Sequence, residues 1–280
     1  MTSEFVPGEA VVIAPGVRRL VAPNPGMMTG PGTNTYLVGE QAVAVIDPGP
    51  RIDRHIDAIQ SESPGPIHWI LCTHTHPDHS PAATPLAEAT GAETMGIPAP
   101  EGKVQDKTFR PDRVLGDGDT LDTDEFSIRA VHTPGHASNH LCFRHEAHRW
   151  LFTGDHIMSG STVVIDPPDG NMKHYLESLE RLKYLDLAAL APGHGPVIDE
   201  PMEIVDWLIN HRLKRESRVV AAMKAHPNHT LWELTPYVYE DVDEKLYRLA
   251  SRSLLAHLLK LEIEGRAACI DERWSLTEVS

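Results

Sequence analysis

Residues 72–80 read CTHTHPDHS and place His74, His76, Asp78 and His79 within six positions. Imidazoles and a carboxylate at that density suit a metal ion better than they suit a folded core. If the backbone stays extended, its period of two turns His74 and His76 to one side, where both can hold the same cation. Asp78 and His79 are adjacent and cannot both point that way; they suit a second ion close by. Pro77 has no amide hydrogen and a fixed φ, which helps hold the turn open. Zinc takes about four ligands per ion, and a catalytic zinc keeps one position for water. Four side chains therefore cannot complete two coordination spheres, and further ligands must come from elsewhere in the chain.

Three candidates stand where a strand-like run gives way to a glycine-containing loop: His136 in HTPGHAS, Asp155 in LFTGD and His194 in APGHG. The elements that must bring them together can be read from patterning. Residues 35–47 read as two strands joined at Gly39-Glu40, and 67–72 as a buried strand running into the histidine cluster. Residues 80–90 look helical. Strands follow at 126–132, and a hairpin at 140–144 and 149–154. Residues 172–185 have apolar positions at helical spacing, and a short strand at 187–191 leads to His194. Strands alternating with helices imply layered α/β architecture, in which ligands gather beyond the carboxyl ends of strands.

After residue 200 the character becomes helical. One helix starts at Pro201 and runs to about 225; a second spans about 242–264, with Asp241 and Glu244 resembling a capping box and Gly265 a stop. The tail 266–276 reads as a short hairpin, so a small winged-helix-like unit is expected. The division is thus 1–200 for the chemistry-bearing domain and 201–280 for the C-terminal one. The irregular stretch 22–35, APNPGMMTGPGTNT, is too long and too rich in Pro and Gly to be a simple connection, and it is a candidate substrate contact.

The chain has 280 residues and a net charge of −15, which argues mildly against a broadly polyanionic partner. Residues 201–280 hold 11 basic and 13 acidic side chains, so the acidity sits in the first 200. Three distant cysteines, Cys72, Cys142 and Cys269, give no disulfide framework and suit a reducing compartment. The first residues lack the basic and apolar regions of a secretory signal, and no apolar run is long enough to span a bilayer. A cytoplasmic protein with no membrane association is expected.

HTHPDH resembles the HxHxDH signature of the metallo-β-lactamase superfamily, and His136, Asp155 and His194 match its later metal positions in order and context. The resemblance implies an αββα sandwich with a small C-terminal winged-helix-like domain. It also implies two Zn²⁺ ions, with Mn²⁺ or Fe²⁺ tolerated: one held by His74, His76 and His136, the other by Asp78, His79 and His194, with Asp155 between them. The run LFTGDHIMSGSTVVIDPPDGNMKHYLESLERL, then APGHGPVI, then a helical tail with a wing, is most similar to the beta-lactamase-like-2 branch. That branch includes endoribonucleases of single-stranded RNA and polyketide thioesterases.

Two divalent ions about 3.5–4 Å apart can share a hydroxide and lower its pKa to near neutrality. The expected activity is hydrolysis of a small ester or thioester by a metal-bridging hydroxide, with Asp78 orienting it as the catalytic residue. The alternative is a metal-dependent endoribonuclease, which needs a basic track with stacking aromatics. Arg212, Lys214, Arg215 and Arg218 offer the only such stripe, and it reads first as a solvated helix face. The C-terminal unit is expected to form a wall of the cleft or a homodimer surface. Ser161 and Thr162, just past Asp155, are candidate substrate contacts. His140 is a candidate for orienting a metal ligand.

Overall fold

The structure is a computed structural model that describes residues 5–102 and 104–277. Its first compact unit runs through Thr133 and resumes at Asn139–Ser161 and Asp186–Pro201. The elements of this unit are β1 (Val11–Ala14), β2 (Val17–Val21), β3 (Asn34–Val38), β4 (Val43–Ile46), α1 (Asp53–Glu62), β5 (Ile67–Leu71), α2 (Ala83–Thr90), β6 (Glu93–Gly96), β7 (Arg113–Val114), β8 (Thr120–Asp122), β9 (Ser127–His132), β10 (Leu141–His145), β11 (Trp150–Gly154) and β12 (Ala189–Pro192).

They form two sheets. The first has seven strands in chain order, antiparallel from β1 to β4 and parallel from β4 to β7. The second has the order β12-β11-β10-β9-β8, with β11 and β12 parallel and the rest antiparallel. Alternation along each strand explains the layering. On β3 and β4, Tyr36, Val38, Ala44 and Ile46 join Phe143 and Phe152 of the second sheet in one core cluster. Leu37, Val43 and Val45 face the other way and pack with Ile56 and Ile59 of α1 and Leu86 of α2. Both faces are buried, so these strands read as continuous apolar runs.

The second unit comprises Pro134–Ser138, Thr162–Leu185 and the chain from Met202 onward. It holds α3 (Met172–Leu182), most of α4 (Pro201–Ala225), β13 (His229–Thr230), α5 (Leu231–Val238), a 3-10 turn (Glu244–Leu246), α6 (Tyr247–Ile263), β14 (Ala267–Ile270) and β15 (Arg273–Leu276). Strands β13, β15 and β14 make a three-stranded sheet. Val219 and Met223 of α4, Leu234 of α5, Leu254, Leu258 and Leu261 of α6, and Trp274 of β15 form its core.

Three local expectations need correction. Asp241 and Glu244 make no capping box: Asp241 is taken by Arg215 and Arg218, and Asp243 caps the 3-10 turn that precedes α6. A capping box does exist one element earlier, where Thr230 and Glu233 start α5, a helix hidden in the sequence by Pro236. Finally, the stripe on α4 is not a solvated face throughout. Arg212 and Arg215 are 3% and 8% exposed, held by backbone carbonyls of Val163 and Val238.

Candidate metal centre

Parallel strands put their carboxyl ends on the same edge of a sheet, so β4 and β5 deliver their following loops side by side, as do β11 and β12. Asp47 follows β4; His74, His76, Asp78 and His79 follow β5; Asp155 follows β11 directly; His194 lies two residues past β12. All but His76 and Asp78 are buried.

The backbone is cut to let these loops approach. Gly193 lies so close that a Cβ there would meet His79 Cε1 at 2.8 Å and Asp155 Oδ1 at 3.0 Å. Gly154 adopts φ +45°, and a Cβ on it would strike Thr73 and the ring of His140. The His194 loop is held by Asn34, whose side-chain amide donates to the carbonyls of Pro192 and Gly195, each at 2.8 Å. The Asn34 amide nitrogen donates to Gly193 O at 2.7 Å.

Asp47 was not among the residues singled out from the sequence, yet it orients two imidazoles. Its Oδ1 accepts the Thr73 backbone N–H at 2.7 Å, and its Oδ2 accepts the Thr73 hydroxyl at 2.8 Å and His79 Nδ1 at 2.8 Å. The Thr73 hydroxyl thus spends its proton on Asp47, so His74 Nδ1, 3.0 Å away, must donate to Thr73 Oγ1. His194 Nδ1 faces the carbonyl of Gly32 at 3.2 Å, and within the second unit His136 Nδ1 faces that of Val164 at 2.8 Å. In each case Nδ1 is placed to donate and Nε2 is the nitrogen that could coordinate a cation, the arrangement seen in metal-binding histidines. The signal for Asp47 was the run VIDPG, an acid followed by a turn at a strand end.

The inward-facing atoms crowd one another without satisfying one another. His79 Nε2 lies 3.5 Å from Asp78 Oδ2 and 3.4 Å from Asp155 Oδ1. His194 Nε2 lies 3.2 Å and 3.3 Å from the same two oxygens. Both nitrogens are buried, and neither makes a hydrogen bond of acceptable geometry. One atom each from His74, His79 and Asp155, and one each from Asp78, His79 and His194, fall within 4.8 Å of one another. His74 Nε2 and His76 Nδ1 are 3.0 Å apart.

The electrostatics call for positive charge at this point. Burial opposes protonation of His79, but the carboxylates of Asp78, Asp155 and Asp47 outweigh it and raise its pKa well above the ordinary value. Burial likewise opposes charge on His194, and Asp155 and Asp78 overcome it. Asp78 is the mirror case: burial works to raise its pKa, and His79 and His194 bring it below the usual range. Among the described residues, the ion pairs of Asp47 and Asp78 are with histidines alone. Nitrogen and oxygen donors converging on a buried, acid-rich point fit divalent cations of the zinc, iron or manganese type.

His140 is not a member of these groups; its ring lies tilted against that of His74 with centroids 5.0 Å apart, while its Nδ1 bonds Thr133 Oγ1. Ser161 is exposed and Thr162 half-buried in the bend after Asp155, and neither joins a ligand group. No helix among the described residues is long and apolar enough to cross a membrane.

Residues 28–194 match the Metallo-beta-lactamase superfamily, and residues 230–274 match the Beta-lactamase associated winged helix domain. A Beta-lactamase-like protein 2 homolog of Caenorhabditis elegans is 33% identical over 236 residues, covering 82% of this chain and 78% of the relative. An Atrochrysone carboxyl ACP thioesterase of Aspergillus fumigatus is 30% identical over 224 residues, covering 77% and 67%. In fold, the chain is similar to a metallo-beta-lactamase family protein from Thermus thermophilus. The TM-score is 0.80 at 23% identity, over 95% of this chain and 100% of that one.

Proposed function

The chain belongs to the metallo-beta-lactamase superfamily, a family of metal-binding hydrolases, and on that premise we propose that it hydrolyses a small ester or thioester with two zinc ions. The observation that carries the reading is the pair of buried nitrogens, His79 Nε2 and His194 Nε2, facing Asp78 and Asp155 with no hydrogen bond between them. Leaving such groups unmet costs about 1–3 kcal/mol each, and cations would meet them.

In this reading His74, His76 and His136 would hold one ion and Asp78, His79 and His194 the other, with Asp155 a further ligand. His136 sits three residues from Thr133 and three from Asn139. Within the first unit, Thr133 N donates to His140 O and Leu141 N to Thr73 O. Bound zinc supplies an ionised water near neutral pH and polarises the substrate carbonyl. The chain's own part is positional. Asp47 fixes His74 through Thr73 and fixes His79 directly. Asp78 is half-buried, and its Oδ1 takes part in none of the contacts of Oδ2, so it can accept a hydrogen bond from the attacking water.

The thioester class is supported by the relative named as a carboxyl ACP thioesterase. Residues 1–200 act as the catalytic domain and 201–280 as the winged-helix domain. Cys72 and Cys142 are buried thiols and Cys269 an exposed one, and the absence of a disulfide among them suits the cytoplasm. The test is metal analysis together with turnover. Two equivalents of zinc per chain and hydrolysis of short acyl thioesters are expected. Cleavage of single-stranded RNA with no thioesterase activity would overturn the substrate class.

A further inference from the structure

Within the second unit, α4 carries a group of cations that the proposed hydrolysis does not use. His211, Lys214, Arg215, Ser217 and Arg218, with Asp241 from beyond α5, line a half-open cavity of about 270 Å³. Positions 211, 214, 215 and 218 are spaced three, four and seven apart, so they lie along one face of the helix. The face was made by local sequence; the cavity was made by the turn that brings Asp241 over it.

The charges do not balance. Asp241 is the only acid among these residues. Arg215 Nη1 and Nη2 reach its two oxygens at 2.8 and 3.3 Å, and Arg218 Nη1 reaches Oδ2 at 2.7 Å. Hydrogen bonding from Arg215, against some burial and with help from Arg218, brings its carboxyl down to about 2. One carboxylate therefore serves as a splint that holds two guanidiniums in a fixed orientation. Arg215 is buried and engages Asp241, the carbonyl of Val238 and the face of Tyr239. Arg218 is exposed and gives only Nη1 to Asp241. Lys214, also exposed, has no acidic partner within ion-pair distance among the described residues. Three cations against one anion leave a formal +2 in one cavity of a chain whose net charge is −15.

Burial, then Arg212 and Arg215, lower the pKa of His211 at the edge of the cavity below the ordinary histidine value. Its ring stacks on half-exposed Trp207, one turn earlier, with centroids 5.2 Å apart and planes at 27°. A planar fork, an ammonium and an imidazole around one opening match the tetrahedral oxygens of a phosphate group, which guanidinium recognises in two-point fashion and lysine as a point charge. The size suits a phosphate or diphosphate group, not a macromolecular groove.

We propose that the α4 cavity binds the phosphate group of a small phosphate ester through Lys214, Arg218 and His211. Arg215 and Asp241 form the rigid wall behind them, and Trp207 offers a face on which a planar ligand portion can stack. This site is independent of the hydrolytic reading and stands or falls separately from it.

The experiment uses the full chain with its metals and reads a signal local to α4. The His211 ring proton resonances, identified by their loss in His211→Gln, are followed as pyrophosphate is added. A saturable shift is expected. In the double variant Lys214→Ala/Arg218→Gln the midpoint should move up by about tenfold or more, as the loss of charge-assisted contacts implies. Both residues are exposed, and circular dichroism of the variant checks that the helix is retained. Adenosine 3′,5′-bisphosphate should saturate at lower concentration than pyrophosphate, and adenosine should shift nothing. Unmoved His211 resonances, or equal midpoints in parent and double variant, would overturn the site. A short single-stranded RNA that saturates below the bisphosphate would overturn the small-ester assignment in favour of a nucleic-acid backbone.

Discussion

Two regions of this molecule bury several ionisable groups, and they treat them in opposite ways. In the C-terminal unit Glu216, 6% exposed, accepts Lys260 Nζ at 2.7 Å and Arg266 Nη1 at 2.8 Å. Glu264 accepts the same two cations at 2.8 and 3.0 Å. Two acids meet two bases, and each charge has its partner. At the mouth of the two sheets, Asp78 and Asp155 face the Nε2 atoms of His79 and His194 at 3.2–3.5 Å without a hydrogen bond of good geometry. There the protein assembles acceptors and imidazoles, and among the described residues no Lys or Arg pairs with Asp47 or Asp78. The closed network is architecture, and the open one carries the donor set of the proposed metal centre. Burial and charge alone do not distinguish them; the balance of partners does.

That contrast can be broken most directly at the open cluster. His76→Ala and Asp155→Ala should each lower thioester hydrolysis by about a thousandfold or more, as loss of several kcal/mol of metal-derived stabilisation implies. Metal content should fall while the circular dichroism spectrum stays close to that of the parent. Full metal occupancy in the His76 variant would contradict the assignment.

The closed cluster should show the reverse pattern. Glu216→Ala strands Lys260, itself 8% exposed, and should cost about 3 kcal/mol in denaturant unfolding, at the low end of the range for a broken buried pair because Glu264 remains. Metal stoichiometry should not change. A Glu216 variant that unfolds normally but loses zinc would erase the distinction.

A smaller effect sharpens the boundary between the two kinds of group. Asp47→Asn keeps the shape of the side chain but weakens the acceptor that orients His79 directly and His74 through Thr73. Zinc affinity measured by competition with a chelator should fall about 10- to 100-fold, with little change in stability.

The smallest effect concerns buried histidines held neutral. Burial lowers the pKa of His55 to about 4, against which a contact with the Pro48 backbone acts only partly. In the second unit burial, then Arg212 and Lys260, takes His257 well below its ordinary value. A depressed histidine pKa means the unfolded chain takes up the proton first. Stability from such a group is complete above the unfolded value near 6.5 and is lost as pH falls toward the folded value. For His55 the loss by pH 5.5 is about 1.4 kcal/mol. His55→Asn should flatten the acid limb of the stability curve between pH 6.5 and 5; a limb of unchanged slope would show that His55 is not its source.

Much of the centre was legible because its signals are local. HTHPDH carries four of the proposed ligands on one loop, and His136, Asp155 and His194 each follow a recognisable strand and precede or follow a glycine. The strands at 34–38, 43–46, 67–71 and 127–132 announced themselves by β-branched and apolar content. What stayed hidden depends on contacts between distant positions. Asp47 reads as an ordinary turn acid until Thr73 and His79, more than 25 residues away, close on it. Asn34 reads as a loop residue until its amide meets the carbonyls of Pro192 and Gly195. Asp241 reads as a helix cap until two arginines on α4 claim it.

The types and spacing of the proposed ligands, the alternation of strands and helices, and the passage to a helical C-terminal part were determined by sequence alone, since each rests on neighbours along the chain. Only the tertiary structure decided which acids are compensated and which are left facing imidazoles. That choice is made by parallel strands ending on a common edge and by glycines such as Gly154 and Gly193 that let separate loops touch. Residue type sets what a side chain can donate or accept, but its partner is fixed by the packing of segments that lie far apart in the chain.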